Sequence, residues 1–173
     1  MSRSKAGLPP LKDDEGILIW KGIFSAAEDL DKAVRHVRDN ATRYGIDPNK
    51  VAIGGHSAGA GTVVNAGFGL RSPVAAMFPM SPGIVGFDMQ KVIDSDVPST
   101  LLVTSQNDDP AISEGIPPTV EKLKAVGADY QLVWIPGFPH FYPTGAVSLA
   151  DDGTRISIGE RVTKFLDEKL KNR

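Results

Sequence analysis

The sequence has no cysteine, which excludes a disulfide framework, cysteine-ligated zinc and a thiol nucleophile. No apolar run approaches the ~18 residues of a membrane span. Met1–Leu11 carries Arg3 and Lys5 but lacks the apolar stretch of a secretory signal, so a cytoplasmic location is the expectation. Neither sign of charge dominates. Nineteen Lys+Arg against 21 Asp+Glu leave a net charge of −2, so no basic footprint for nucleic acid or an anionic membrane is present. There is no repeat and no low-complexity tract. What remains is ordinary globular composition: 173 residues, 41% hydrophobic and 23% charged, enough for one domain with a sizeable core.

Residues 1–24 read as an irregular arm, with Pro9 and Pro10 and one short apolar segment, Ile17–Trp20, as a candidate strand. Residues 25–173 read as the folded core. Ser25 and Glu28 have capping-box spacing, and Leu30, Ala33, Val34, Val37, Ala41 and Tyr44 recur at helical spacing. Gly45 is a natural cap, and Asp47-Pro48 stops the helix. Strands are then expected at 51–54, 74–79, 100–104 and 131–135. Helices are expected at 58–69, 117–126 and 156–170, with a short helix or loop at 86–95. Strand-helix alternation with continuous apolar strands predicts a three-layer α/β fold, its mostly parallel sheet covered by helices on both faces.

In such sheets the chemistry lies beyond the carboxyl ends of the strands. After the first core strand comes Gly55-His56-Ser57-Ala58-Gly59, a G-x-S-x-G between strand and helix. A serine on that sharp turn projects its Oγ clear of the sheet. The following helix start brings N–H groups beside it, and the Ala58 N–H is the candidate oxyanion donor. A plain packing turn is the alternative. A Walker loop is excluded because Ala60, not Lys, follows Gly59.

A serine nucleophile needs a base. His36 sits mid-helix between charged neighbours, and His56 adjoins Ser57 too closely to turn back on its Oγ. His140, just past the strand at 131–135, is left as the base. An orienting carboxylate is needed next, and Asp108 and Asp109 both follow the strand at 100–104. Asp109 precedes Pro110, which holds it extended. The order Ser, Asp, His is that of α/β-hydrolases.

The stretch from Phe24 through Gly59, Asn107-Asp108-Asp109-Pro110-Ala111-Ile112 and Pro136-Gly137-Phe138-Pro139-His140-Phe141 together resemble the carboxylesterase/lipase-like group of α/β-hydrolases. That resemblance implies that the aspartate directly before the proline, Asp109, serves the triad with Ser57 and His140. The expected function is hydrolysis of small carboxylic esters through an acyl-enzyme, without metal or organic cofactor. A serine peptidase or amidase on the same scaffold, or an impaired domain acting by association, are the alternatives. Phe138, Phe141 and Tyr142 are candidates for an acyl pocket, though simple packing explains them as well.

Nothing in Met1–Phe24 matches the family's first strands or its His-Gly-Gly oxyanion loop. The elbow strand is then expected at a sheet edge, which invites pairing with a second copy of the chain, unless residues 1–24 fold over it.

Overall fold

The computed structural model describes residues 13–171, with side chains from residue 22 onward. The first half of the expected arm, residues 1–12, lies outside the described residues. The rest of the arm is not irregular, and Ile17–Trp20 is not a strand: helix α1 runs without a break over Asp13–Asp39. Ser25 therefore stands inside the helix. The N–H groups that its hydroxyl was expected to cap already have intrahelical partners. The same Ser-x-x-Glu spacing does form a capping box elsewhere, at Ser157 and Glu160. There the Ser157 N–H donates to Glu160 Oε2 (3.0 Å) and the Glu160 N–H to Ser157 Oγ (3.2 Å).

The short helix α2 (Ala41–Tyr44) ends at Gly45, whose φ of 66° lies in the left-handed region, as its cap role requires. Strand β1 (Ala52–His56) leads into α3 (Ala58–Val64), which continues as a π-helical turn over Asn65–Gly69. Then follow β2 (Ala76–Met80), α4 (Met89–Val92), β3 (Ser99–Ser105), α5 (Pro110–Ser113), α6 (Ile116–Ala125) and β4 (Tyr130–Ile135). A hairpin, β5 (Val147–Ala150) and β6 (Arg155–Ser157), precedes α7 (Ile158–Lys171).

The strands form one six-stranded sheet in sequential order, β1 to β4 parallel and β5 and β6 antiparallel. The chain thus adopts a three-layer α/β fold with a mostly parallel sheet, as expected. Period-two alternation sorts the side chains. Ile53 and Met77 join Val34, Val63, Val64 and Leu123 under α1, α3 and α6. Ala76, Leu101, Val103, Val133 and Ile135 pack on the other face against Ile158 and Phe165 of α7. Among the described residues β1 pairs with β2 alone and so lies at the edge of the sheet. The Phe78 ring lies against Gly54 so closely that a Cβ there would meet it at 2.1 Å. No helix among the described residues is long and apolar enough to cross a membrane.

One buried amide fixes the region over the sheet's carboxyl end. Asn65 is fully buried. Its Nδ2 donates to the Gly61 carbonyl (2.8 Å) and the Val85 carbonyl (2.7 Å), and its Oδ1 accepts from the Phe87 N–H (3.0 Å). Gly86, at φ 116°, leaves room for that amide, since a Cβ there would meet Asn65 Oδ1 at 2.0 Å. The loop after β2 is therefore tied to α3. Asn65→Leu strands one donor and two acceptors. It is expected to lower unfolding stability by about 1–3 kcal/mol in urea titration.

Candidate active site

The four parallel strands point their carboxyl ends the same way, and each of the loops that follow contributes to one cluster. Beyond β1 the chain turns at Ser57, whose φ of 58° and ψ of −121° are strained for a residue with a Cβ. The turn is held by the Ser57 N–H on the Met80 carbonyl (3.0 Å) and the Gly61 N–H on the Ser57 carbonyl (3.0 Å). It also needs a bare Cα at Gly55, where a Cβ would sit 2.6 Å from the Gly59 carbonyl carbon. Gly59 meets no such limit; a Cβ there would find nothing within 4 Å. Of the two glycines flanking Ser57, only Gly55 is sterically required.

His140, in the loop after β4, accepts the Ser57 Oγ hydrogen at Nε2 (2.7 Å) and turns Nδ1 to Asp108 Oδ1 (2.7 Å). Asp108, after β3, has a fully buried side chain. Burial works against its charge. Hydrogen bonds from Ser81, from His140 and from the Asp109 N–H outweigh it, and the carboxyl stays below its ordinary value of 3.8. An ionised carboxylate only accepts, so Nδ1 carries a proton. The neutral imidazole then presents a bare Nε2 to the Ser57 hydroxyl.

The structure thus brings Asp108, and not the expected Asp109, to the His140 ring. Asp109 does not contact His140 through a hydrogen bond to its ring. Its carboxylate accepts from the Ala111 N–H (2.9 Å) as the cap of α5, with Pro110 in the first helical turn. The proline that suggested a catalytic position marks a helix start instead.

The BD-FAE family model matches residues 21–121, more than half of the chain. The chain belongs to the BD-FAE family. BD-FAE is an esterase-type α/β-hydrolase domain. Solved structures agree on the fold. A truncated carbohydrate esterase from gut microbiota is 17% identical with a TM-score of 0.66, over 84% of this chain and 68% of that one. Esterase PE8 is 23% identical with a TM-score of 0.63, over 94% and 69%. A butyrate-bound thermophilic esterase from the Planctomycetes species Thermogutta terrifontis is 19% identical with a TM-score of 0.65, over 84% and 64%. This BD-FAE chain thus spans about two thirds of their lengths. No curated protein sequence matches it.

Three residues of this BD-FAE site were not singled out for these positions from sequence. Ser81, fully buried at the end of β2, has a φ of 49° and donates its Oγ hydrogen to Asp108 Oδ2 (2.5 Å). With that hydrogen committed, the Tyr142 hydroxyl 3.3 Å away must be the donor to Ser81 Oγ. Burial pushes the Tyr142 phenol up to about 12, so it keeps its proton. His56 does not reach Ser57 Oγ, as expected. Its Nε2–H donates instead to the His140 carbonyl (2.9 Å), and its ring lies 5.0 Å from that of His140. The loops after β3 and β4 are also joined directly, Asn107 N–H to the Phe138 carbonyl (3.0 Å) and Gly137 N–H to Gln106 Oε1 (2.8 Å). His36 is exposed on α1, as read from sequence.

A cavity of about 490 Å³ opens beside Ser57. Phe138, Phe141 and Tyr142 do not line it. Phe138 and Tyr142 pack into the core under α7, and Phe141 is 73% exposed. Among the described residues no group of His, Asp and Glu could hold a metal ion.

Asp108→Asn is expected to lower Ser57-dependent turnover on the order of 10⁴-fold, whereas Asp109→Asn changes it only a few-fold. Steady-state rates of the two variants check this. Stability carries a second signature. A carboxyl held below 3.8 when folded favours the fold fully above that pH and loses the contribution as pH falls through its lowered value. The stability gap between wild type and Asp108→Asn should therefore narrow in acid below about pH 4.

Proposed function

We propose that this BD-FAE chain is a serine hydrolase of small carboxylic esters, with Ser57 as nucleophile, His140 as base and Asp108 as orienting acid. The observation that carries this reading is the one-way hydrogen-bond chain from Ser57 Oγ through the His140 ring to the buried Asp108 carboxylate, at 2.7 Å on each side of the ring.

Ser57 Oγ attacks the acyl carbonyl carbon while its proton passes to His140 Nε2. The imidazolium that forms faces ionised Asp108, which also keeps the ring in the productive tautomer. The carbonyl oxygen takes the electron pair and the negative charge. We assign the oxyanion donor to the Ala58 N–H, which is supported by its position in the first turn of α3, where helix N–H groups lack an intrahelical partner. The intermediate collapses, the C–O bond to the alcohol breaks, and His140 returns its proton to the leaving oxygen. Water then attacks the acyl-enzyme. His140 takes its proton and hands it to Ser57 Oγ as the acid departs.

The strain at Ser57 fits this use, since a relaxed turn would lay the side chain along the sheet. Purified chain is expected to hydrolyse p-nitrophenyl acetate and butyrate. Ser57→Ala should retain its fold by circular dichroism and lose at least about 10³-fold in rate. A folded chain whose turnover survives Ser57→Ala would overturn the assignment.

A further inference from the structure

We infer that the cavity between α1 and α3 is an acyl site selecting uncharged, apolar acyl groups, and that Gly22, Ile23 and Ala26 of α1 form the wall that limits their length. This rests on the ester-hydrolase reading above.

Orientation follows from where the proton must go. The leaving oxygen receives the His140 proton, so the alcohol lies on the His140 side of Ser57 Oγ. Among the described residues the cavity lining takes in Ser57 and Ala58 but not His140. The acyl substituent, on the opposite side of the carbonyl carbon, is the part that enters.

The chemistry follows from the lining. No Asp, Glu, Lys, Arg or His belongs to it among the described residues. Apart from Ser57, the one hydroxyl among the described lining residues is Thr62, which already donates to the Ala58 carbonyl (3.1 Å). A carboxylate or ammonium carried in on the acyl group would lose its water and find no charged partner among the described lining residues. At about 490 Å³ the cavity exceeds the need of an acetyl group and lies within the ~300–1,000 Å³ typical of small-molecule sites.

The walls are fixed from behind. Gly22 and Ala26 stand one helical turn apart and Ile23 beside them, on one face of α1. Ala27 next to them is fully buried, and Phe24 meets the Phe87 ring edge-on at 5.1 Å. Opposite, Gly83 and Val85 belong to the loop that Asn65 ties to α3, and Ile112 of α5 closes the side. Gly22 and Ala26 are exposed, so their small size keeps space open for a ligand rather than for packing.

The test uses p-nitrophenyl acetate, butyrate, hexanoate and monosuccinate with wild type, Ala26→Trp and Ile112→Ala. It adds saturation-transfer NMR of hexanamide on Ser57→Ala and on Ser57→Ala/Ala26→Trp. Wild-type kcat/KM should rise roughly fourfold per added methylene up to hexanoate, with monosuccinate at least tenfold below butyrate. Ala26→Trp should cut hexanoate turnover at least tenfold more than acetate turnover. Ile112→Ala should raise the hexanoate-to-acetate ratio, and hexanamide binding should be saturable and Ala26-dependent.

Equal losses for acetate and hexanoate in Ala26→Trp, or monosuccinate matching butyrate, overturn the acyl site while Ser57-dependent acetate turnover keeps the hydrolase reading. No turnover of any ester, with hexanamide still bound in an Ala26-dependent manner, overturns the hydrolase reading and leaves the apolar site standing. Loss of both overturns both.

Discussion

A carboxylate with no exposed side-chain surface, Asp108, is the constraint on which the site depends. Its burial is unfavourable by itself, and the surrounding structure is arranged to offset that. Ser81 is held at a positive φ to bring its hydroxyl to one oxygen, and the His140 ring and the Asp109 N–H serve the other. Tyr142, its proton secured by burial, completes the chain by donating to Ser81. Every donor in that chain has its direction set by the acceptor-only carboxylate, and the bare His140 Nε2 is the outcome.

The parallel sheet makes the convergence possible. Ser57, Ser81, Asp108 and His140 follow β1, β2, β3 and β4 in turn, so four adjacent strand ends deliver four loops to one place. Two of these residues, Ser57 and Ser81, carry the positive φ values at which side chains are strained. The parallel register holds the ends together. The backbone bonds from Ser57 to Met80 and from Ser81 to Val103 extend the sheet's pairing one step past its formal edge. Over this platform α1 and the loop held by Asn65 enclose the apolar space beside the serine.

Much of this was legible in the sequence. The parallel core followed from strand-helix alternation, and the Gly55–Gly59 pentapeptide and the order of His140 after it picked out two side chains that the structure brings together. The carboxylate that meets the His140 ring was legible only to within one residue. Asp108 and Asp109 are adjacent, and which one turns inward depends on Ser81 and His140, far away in sequence. The Asp109-Pro110 pair was itself a helix-start signal, and that reading would have left Asp108. The start of α1 was missed because Ser25-x-x-Glu28 has the spacing of a cap whether or not a turn precedes it. The β5–β6 hairpin was missed because its strands are short, although Asp152-Gly153, with Gly153 at φ 82°, is a turn signal between them. Ser81 and His56 give no motif; their roles exist only in the assembled site.

The central claim is that Asp108, through His140, makes Ser57 reactive. Labelling with a fluorophosphonate, followed by peptide mapping, tests it most directly in wild type, Asp108→Asn and Asp109→Asn. The account predicts modification at Ser57 alone, at similar rates in wild type and Asp109→Asn, and a labelling rate lower by orders of magnitude in folded Asp108→Asn. Labelling that is lost with Asp109→Asn and kept with Asp108→Asn, or an unreactive Ser57 in the wild-type chain, would contradict it.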